Sequence, residues 1–280
     1  DIYVAMLAGD IVNGPDGSVL VIADSSAVSD AATQSKAKSR ADATGYEIDV
    51  DDLAGDIVNH GYVGVGAYST ADALGDAKAW AKARAYGYDS EVESIFGDFT
   101  NTGLIEVYAD AAALAQTTEG VDDKAKAHAR ATGVRLEGGG GPQTLFGDIN
   151  NTEDATILAV ATAEAVLDPG PNALDNDVVD GKAEAFAIRL EDGVTVTGGL
   201  YNDGNLIASA QGTTKGWAVG VLIQDSQIDG GIHNTGLIWA EAEGSDFEQA
   251  DAINTVEASA AHVINLLDGN GFVPNGDLDP

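Results

Sequence analysis

The sequence predicts an all-β fold, a three-sided parallel β-solenoid (β-helix) of about six coils. Three observations point to it: a short motif recurs along the whole chain, an alternating strand follows each copy, and a second alternating run closes each unit.

The motif comes first. LAGDIVN occurs at Leu7–Asn13 and again at Leu53–Asn59, and related segments begin at Gly97 (GDFTN), Gly147 (GDINN), Gly198 (GGLYN) and Gly230 (GGIHN). With the copies at Gly9 and Gly55, the steps are 46, 42, 50, 51 and 32 residues. Unequal steps around a constant motif fit coils that share one face and differ in their loops.

Each copy is followed by a Gly-containing turn and a strand-like run, as in TGLIEVYADA from Thr102, DGNLIASA from Asp203 and TGLIWAEAE from Thr235. A second run then appears: KAKSRADATGYEI from Lys36, AKAWAKARAYGY from Ala77 and KAKAHARATGVRL from Lys124. Ala, Lys and Arg favour helix. The apolar residues nonetheless fall at every second position, so the period is that of a strand. Each coil therefore reads as three short strands, and the whole chain, 1–280, as one domain with anchors near 9, 55, 97, 147, 198 and 230. VINLLDGNGFVPNGDLDP at the end reads as the opening of a partial seventh coil, 268–280.

Stacked coils align equivalent residues about 4.8 Å apart. Alternation turns Ile11 and Asn13 inward and Asp10 outward. One column is then Asn13, Asn59, Asn101, Asn151, Asn202 and Asn234, a structural ladder whose amides can donate to and accept from one another. A second is Asp10, Asp56, Asp98 and Asp148, replaced by Gly199 and Gly231 in the last two coils. Carboxylates at that spacing repel by roughly 0.8 kcal/mol each in water. Cations, turn N–H groups or a basic ladder must offset this.

Composition narrows the function. Hydrophobic residues are 44% of the chain but aromatics only 6%, so the core is thin and built from small side chains. Formal charge is −33, from 46 acidic and 13 basic residues, which disfavours nucleic acid and anionic lipid as partners. No run of 18 apolar residues offers a membrane insertion. All 13 basic residues lie in or beside the second alternating run, so one face carries a positive stripe able to dock on the acidic surface of an identical neighbour.

Catalytic and transition-metal signatures are missing. His60, His128, His233 and His262 occupy unrelated coil positions, and Trp80, Trp217 and Trp239 are scattered rather than gathered into a sugar-binding cleft. Calcium is the best-supported ligand, through the Asp column or through Asp268, Asn270, Asn275, Asp277 and Asp279, which are rich in hard oxygen donors. No other cofactor is indicated.

The unit carried by GDFTNTGLIEVYADA with ATGVRL, and by GGIHNTGLIWAEAE, resembles the pseudo-repeats of bacterial autotransporter and adhesin passenger regions. The resemblance implies a right-handed parallel β-helix, secreted and held at the bacterial cell surface, acting in adhesion, biofilm or shielding. The opening at Asp1 reads as a mature form after export.

The pattern is already running at the first residues and still running at the last. Ile2, Val4 and Leu7 match Ile48, Val50 and Leu53, and Val263, Leu266 and Phe272 continue it at the other end. These are the expected assembly edges. Matching edges predict a homopolymer, a subunit that stacks end to end into a surface filament or matrix fibre. A monomeric adhesin passenger binding glycans is the alternative, and a polysaccharide-acting enzyme the weaker one.

Overall fold

The computed structural model describes residues 4–30, 35–75, 77–116, 123–138, 143–168 and 178–256. They form a parallel β-solenoid of six coils, with 24 strands in four six-stranded sheets. Coil 1 comprises β1 (Val4–Ala8), β2 (Ile11–Asn13), β3 (Ser18–Asp30) and β4 (Ser35–Ile48); coil 2 comprises β5 (Val50–Ala54), β6 (Ile57–Asn59), β7 (Tyr62–Leu74) and β8 (Ala77–Ser90). Coil 3 has β9 (Ser94–Ile95), β10 (Phe99–Asn101), β11 (Leu104–Gln116) and β12 (Lys124–Glu137). Coil 4 has β13 (Thr144–Leu145), β14 (Ile149–Asn151), β15 (Thr156–Asp168) and β16 (Val178–Glu191). Coil 5 has β17 (Thr195–Val196), β18 (Leu200–Asn202), β19 (Asn205–Gly212) and β20 (Lys215–Gln224). Coil 6 has β21 (Gln227–Ile228), β22 (Ile232–Asn234), β23 (Leu237–Glu243) and β24 (Phe247–Val256).

Each coil thus holds four strands where the pattern suggested three short ones. The Gly–Asp pair bends the anchor into two pieces, which join separate sheets A (β1, β5, β9, β13, β17, β21) and B (β2, β6, β10, β14, β18, β22). The other two strands run 13 and 14 residues in coils 1–4 and build two broad sheets, C (from β3 to β23) and D (from β4 to β24). The Ala-Lys-Arg run from Ala77 is strand β8, as its period of two requires.

The coils stack in register: Ile11 lies opposite Ile57, Ile57 opposite Phe99, and Phe99 opposite Ile149. The strands of an inner coil therefore pair along their length with those of the coils before and after.

The cross-section is a wedge. Where C and D turn into each other, only Ala and Ser separate them in coils 1–3, and Ser39 Oγ reaches across to donate to the Ser25 carbonyl at 2.7 Å. The buried positions of β11 there are Ala109, Ala111, Ala113 and Ala115, facing an equally small set on D. Toward sheets A and B the interior widens, and Tyr88, Phe99, Leu53, Ile105 and Leu136 fill it. An Ala-rich composition is what the narrow end demands.

Sheet D changes phase once per coil. In β12, Ala125, Ala127, Ala129 and Ala131 face inward, but the next inward residues are Val134 and Leu136, a step of three across Gly133. The same step separates Ala43 from Tyr46 and Ala85 from Tyr88. One extra residue bends the strand as a β-bulge does, and because all coils carry it, the ladder survives. A Cβ on Gly133 would sit 2.2 Å from Ile157 Cγ2 and 2.6 Å from the Ala187 carbonyl oxygen. Only Gly fits there.

Gly133→Ala is therefore expected to destabilise the chain by about 1–3 kcal/mol. Ala112→Leu, on the outer side of β11, should stay within about 0.5 kcal/mol of the parent. Denaturant unfolding followed by far-UV circular dichroism checks both.

Candidate functional site

At the bend between sheets A and B, the amide of the Asp that follows Gly joins neither ladder. The structure satisfies it with a carboxylate from the preceding coil. Asp56 N–H donates to Asp10 Oδ1 at 2.9 Å, and at 2.8 Å Asp98 N–H donates to Asp56 Oδ1, Asp148 N–H to Asp98 Oδ1, and Gly199 N–H to Asp148 Oδ1. Hydrogen bonds to a charged acceptor contribute about 1.5–3 kcal/mol each. Repulsion of about 0.8 kcal/mol between neighbouring carboxylates is smaller, so the column is held by turn N–H groups.

The Asn column is continuous. Nδ2 donates to the next Oδ1 at 2.7 Å from Asn13 to Asn59, 2.8 Å to Asn101, 2.9 Å to Asn151, 2.7 Å to Asn202 and 2.6 Å to Asn234. Asn59, Asn101 and Asn202 are fully buried, and the column bonds main-chain carbonyls as well, as from Asn101 to Thr156 at 3.4 Å. All five bonds point the same way. Among the described residues, Asn13 Oδ1 accepts from no side-chain amide, and Asn234 Nδ2 donates to the Gly236 carbonyl at 3.1 Å instead of to a further Asn.

The two broad faces differ in charge. Every one of the 13 Lys and Arg residues lies on a strand of sheet D, ten of them on β4, β8 and β12. The outer side of sheet C carries none; it presents acids such as Asp24, Asp110 and Glu164 among exposed apolar residues. At the bulge of D an ion-pair cluster covers the outer surface. Arg135 grips Asp89 with two bonds of 2.6 and 2.9 Å and also pairs with Glu137. Arg130 and Lys182 converge on the buried carboxylate of Glu184. Burial opposes ionisation of Glu184, but these two cations outweigh it and hold its carboxyl below the usual range. Burial likewise works against the charge of Arg135, and the bonds to Asp89 outweigh it, raising that guanidinium. Burial and the nearby Arg130 lower Arg189. Arg130, Lys182 and Glu184 meet by simple register, Arg130 lying opposite Glu184, whereas Asp89, Arg135 and Glu137 lie beyond the phase change and nothing in the simple alternation signalled them.

Of the residues singled out as calcium ligands, Asp10, Asp56, Asp98 and Asp148 stand in one column. Asp268, Asn270, Asn275, Asp277 and Asp279 lie outside the described residues, as do the partial seventh coil and His262. Among the described residues, no group of three or more His, Cys, Asp or Glu side chains is placed to hold a metal ion. Of the edge residues, Val4 pairs with Val50, and Leu7, opposite buried Leu53, is 37% exposed. Ile2, Val263, Leu266 and Phe272 lie outside the described residues. Among the described residues, no helix is long and apolar enough to cross a membrane. No protein-family model, curated protein or solved structure matches the chain.

The Asn column yields a pH-dependent test. Asn101→Ala leaves a buried donor and a buried acceptor unpaired and should cost about 1–3 kcal/mol. Asn101→Asp can accept from Asn59, but only its protonated form can donate to Asn151. Burial raises its folded pKa, so this variant should approach the parent in acid and lose stability as pH rises above the unfolded value of about 4. Chemical denaturation across pH measures it, and a pH-independent deficit would show that the amide's donor is not what matters.

Proposed function

We propose that the chain is an extracellular structural protein of the bacterial cell surface, a solenoid subunit that stacks end to end into a filament or matrix fibre. One observation carries the reading: the inward side chains of the first and last coils are less buried than those one coil further in. Ile11, Val19, Val21 and Ala23 are half-buried, whereas Ile57, Val63, Val65 and Ala67 beside them are 0–2% exposed. At the other end Ile238, Ala240 and Ala242 are half-buried against fully buried Leu206 and Ala208.

Another copy laid on either end in the same register would bury these residues and add a full rung of main-chain hydrogen bonds. The one-way Asn column supports the same polarity. Asn234 Nδ2, bonded to the Gly236 carbonyl, keeps a second N–H, and Asn13 Oδ1 accepts from no side-chain amide among the described residues, so the two are complementary across a head-to-tail junction. Such a contact is heterologous and does not close, so it extends without limit. The surface location rests on the likeness of the repeat unit to autotransporter and adhesin passengers. No cofactor is needed for this role.

Negative-stain images of the purified chain should show filaments; monodisperse particles at every salt and calcium level would rule the stacking out. Val21→Lys places a charge in the half-buried edge row, where it remains solvated in a single subunit but would be buried in a stack. It should abolish filaments while lowering the melting temperature only slightly. By contrast, Val65→Lys, one coil further in, should prevent folding.

A further inference from the structure

We propose that the subunits also associate side by side, the cationic outer face of sheet D of one copy seating on the acidic, apolar outer face of sheet C of a second copy. The inference rests on the filament reading and deepens it by adding a second contact between the same subunits.

Charge segregation is the first observation. Sheet D holds every cation of a chain with a formal charge of −33. Among the described residues, Lys78, Lys82, Arg84 and Lys124 form no ion pair within their own subunit. These side chains stand in rows on adjacent coils, with Lys36, Lys78 and Lys124 forming one row. Burial together with neighbouring Arg84 and Arg40 lowers the pKa of Lys82, while burial and Glu164 raise that of Asp110 on sheet C. Like charges stand close together on each face, and opposing the two faces sets each beside the opposite sign.

The second observation is independent of charge. Sheet C exposes large apolar side chains on its outer side: Leu20 at 64%, Ile22 at 62% and Val28 at 74%, with Tyr108, Val166 and Trp239 less so. Acids stand among these side chains on the same rows, Asp72 beside Val28 and Glu106 two rungs from Leu20, so the face offers apolar contact and negative charge together. Strand lengths of 7 to 13 residues over six rungs give sheet C an area of about 1,000 Å², above the roughly 800 Å² per partner of a stable interface.

Of the available pairings, C on C opposes acids and D on D opposes cations. Only C on D brings opposite signs together. Both faces repeat every rung at about 4.8 Å, so their rows can run in step. A cleft of about 110 Å³ on sheet D, bounded by Lys82, Arg84, His128, Arg130, Lys182 and Glu184, can receive a carboxylate side chain from the facing sheet. C-on-D contact is heterologous, so it builds an open layer.

The test uses charge exchange. Lys78→Glu with Lys82→Glu and Arg84→Glu puts three carboxylates on face D; Asp24→Lys with Asp110→Lys and Glu164→Lys puts three lysines on face C. Circular dichroism first confirms that both variants fold, and electron microscopy then measures filament width and length at low salt. Wild type should form layers several subunits wide that separate into single-width filaments at about 1 M salt, where screening is nearly complete. Each variant alone should remain single-width, and an equal mixture should recover the layers. Single-width wild-type filaments, folded variants that keep the layers, or a mixture that fails to restore them would each overturn the pairing. A wild type that stays single-width and binds soluble polyglutamate would assign face D to an acidic polymer instead. Width reports the side-by-side contact and length the end-to-end one, so loss of either is seen separately.

Discussion

The constraint on which everything else depends is that each coil lies directly on its equivalent, so that like residues face like at about 4.8 Å. For apolar residues the arrangement is favourable without further provision. Stacked rings show it: Tyr46 on Tyr88 at 4.7 Å, Phe96 on Phe146 at 4.8 Å and Tyr201 on His233 at 4.7 Å. For polar residues the same rule is a problem, because a donor meets a donor and a charge meets its own sign.

The chain meets that problem in three ways. Asn carries both a donor and an acceptor, so a column of it satisfies itself. Asp has only acceptors, so its column works by alternating with the main-chain amides that the Gly–Asp bend would leave unpaired. At the bulge of sheet D, the rows depart from strict repetition: Asp89 lies opposite Arg135 and pairs with it across the rung, while Arg189, next in the row, pairs with Glu191 of its own strand. Each solution uses the chemistry of the residue present, and none needs a ligand.

The parts legible in the sequence were those with a period. The coil count, the parallel stacking, the Asn column, the placement of all basic residues on one strand per coil and the inward rows of Ala all follow from repeats and alternation. Two features break the period and were hidden by it. Sheets A and B arise because Gly9–Asp10 and its equivalents bend an anchor that reads as one strand. The phase change at Gly45, Gly87 and Gly133 moves Tyr46, Tyr88 and Val134 into the core, and it turns Asp89, Arg135 and Glu137 outside. A Gly ladder within an otherwise alternating run was the signal for it, since a strand interior rarely keeps a residue with no side chain to pack. Pairing of the Asp column with amides could be anticipated only as one of three options, because a side chain's partner depends on where the bend points the N–H.

The thin wedge also decides where stability comes from. An interior of Ala and Val buries little area per residue, so no single coil could hold itself together, and most of the favourable free energy lies in the contacts between coils. Adding a coil adds one such interface together with one rung of hydrogen bonds, whereas each free end leaves one rung of donors and acceptors to water and exposes half of a coil's inner row. The penalty of the ends is fixed while the gain grows with coil number. A longer stack is therefore more stable per coil than a shorter one.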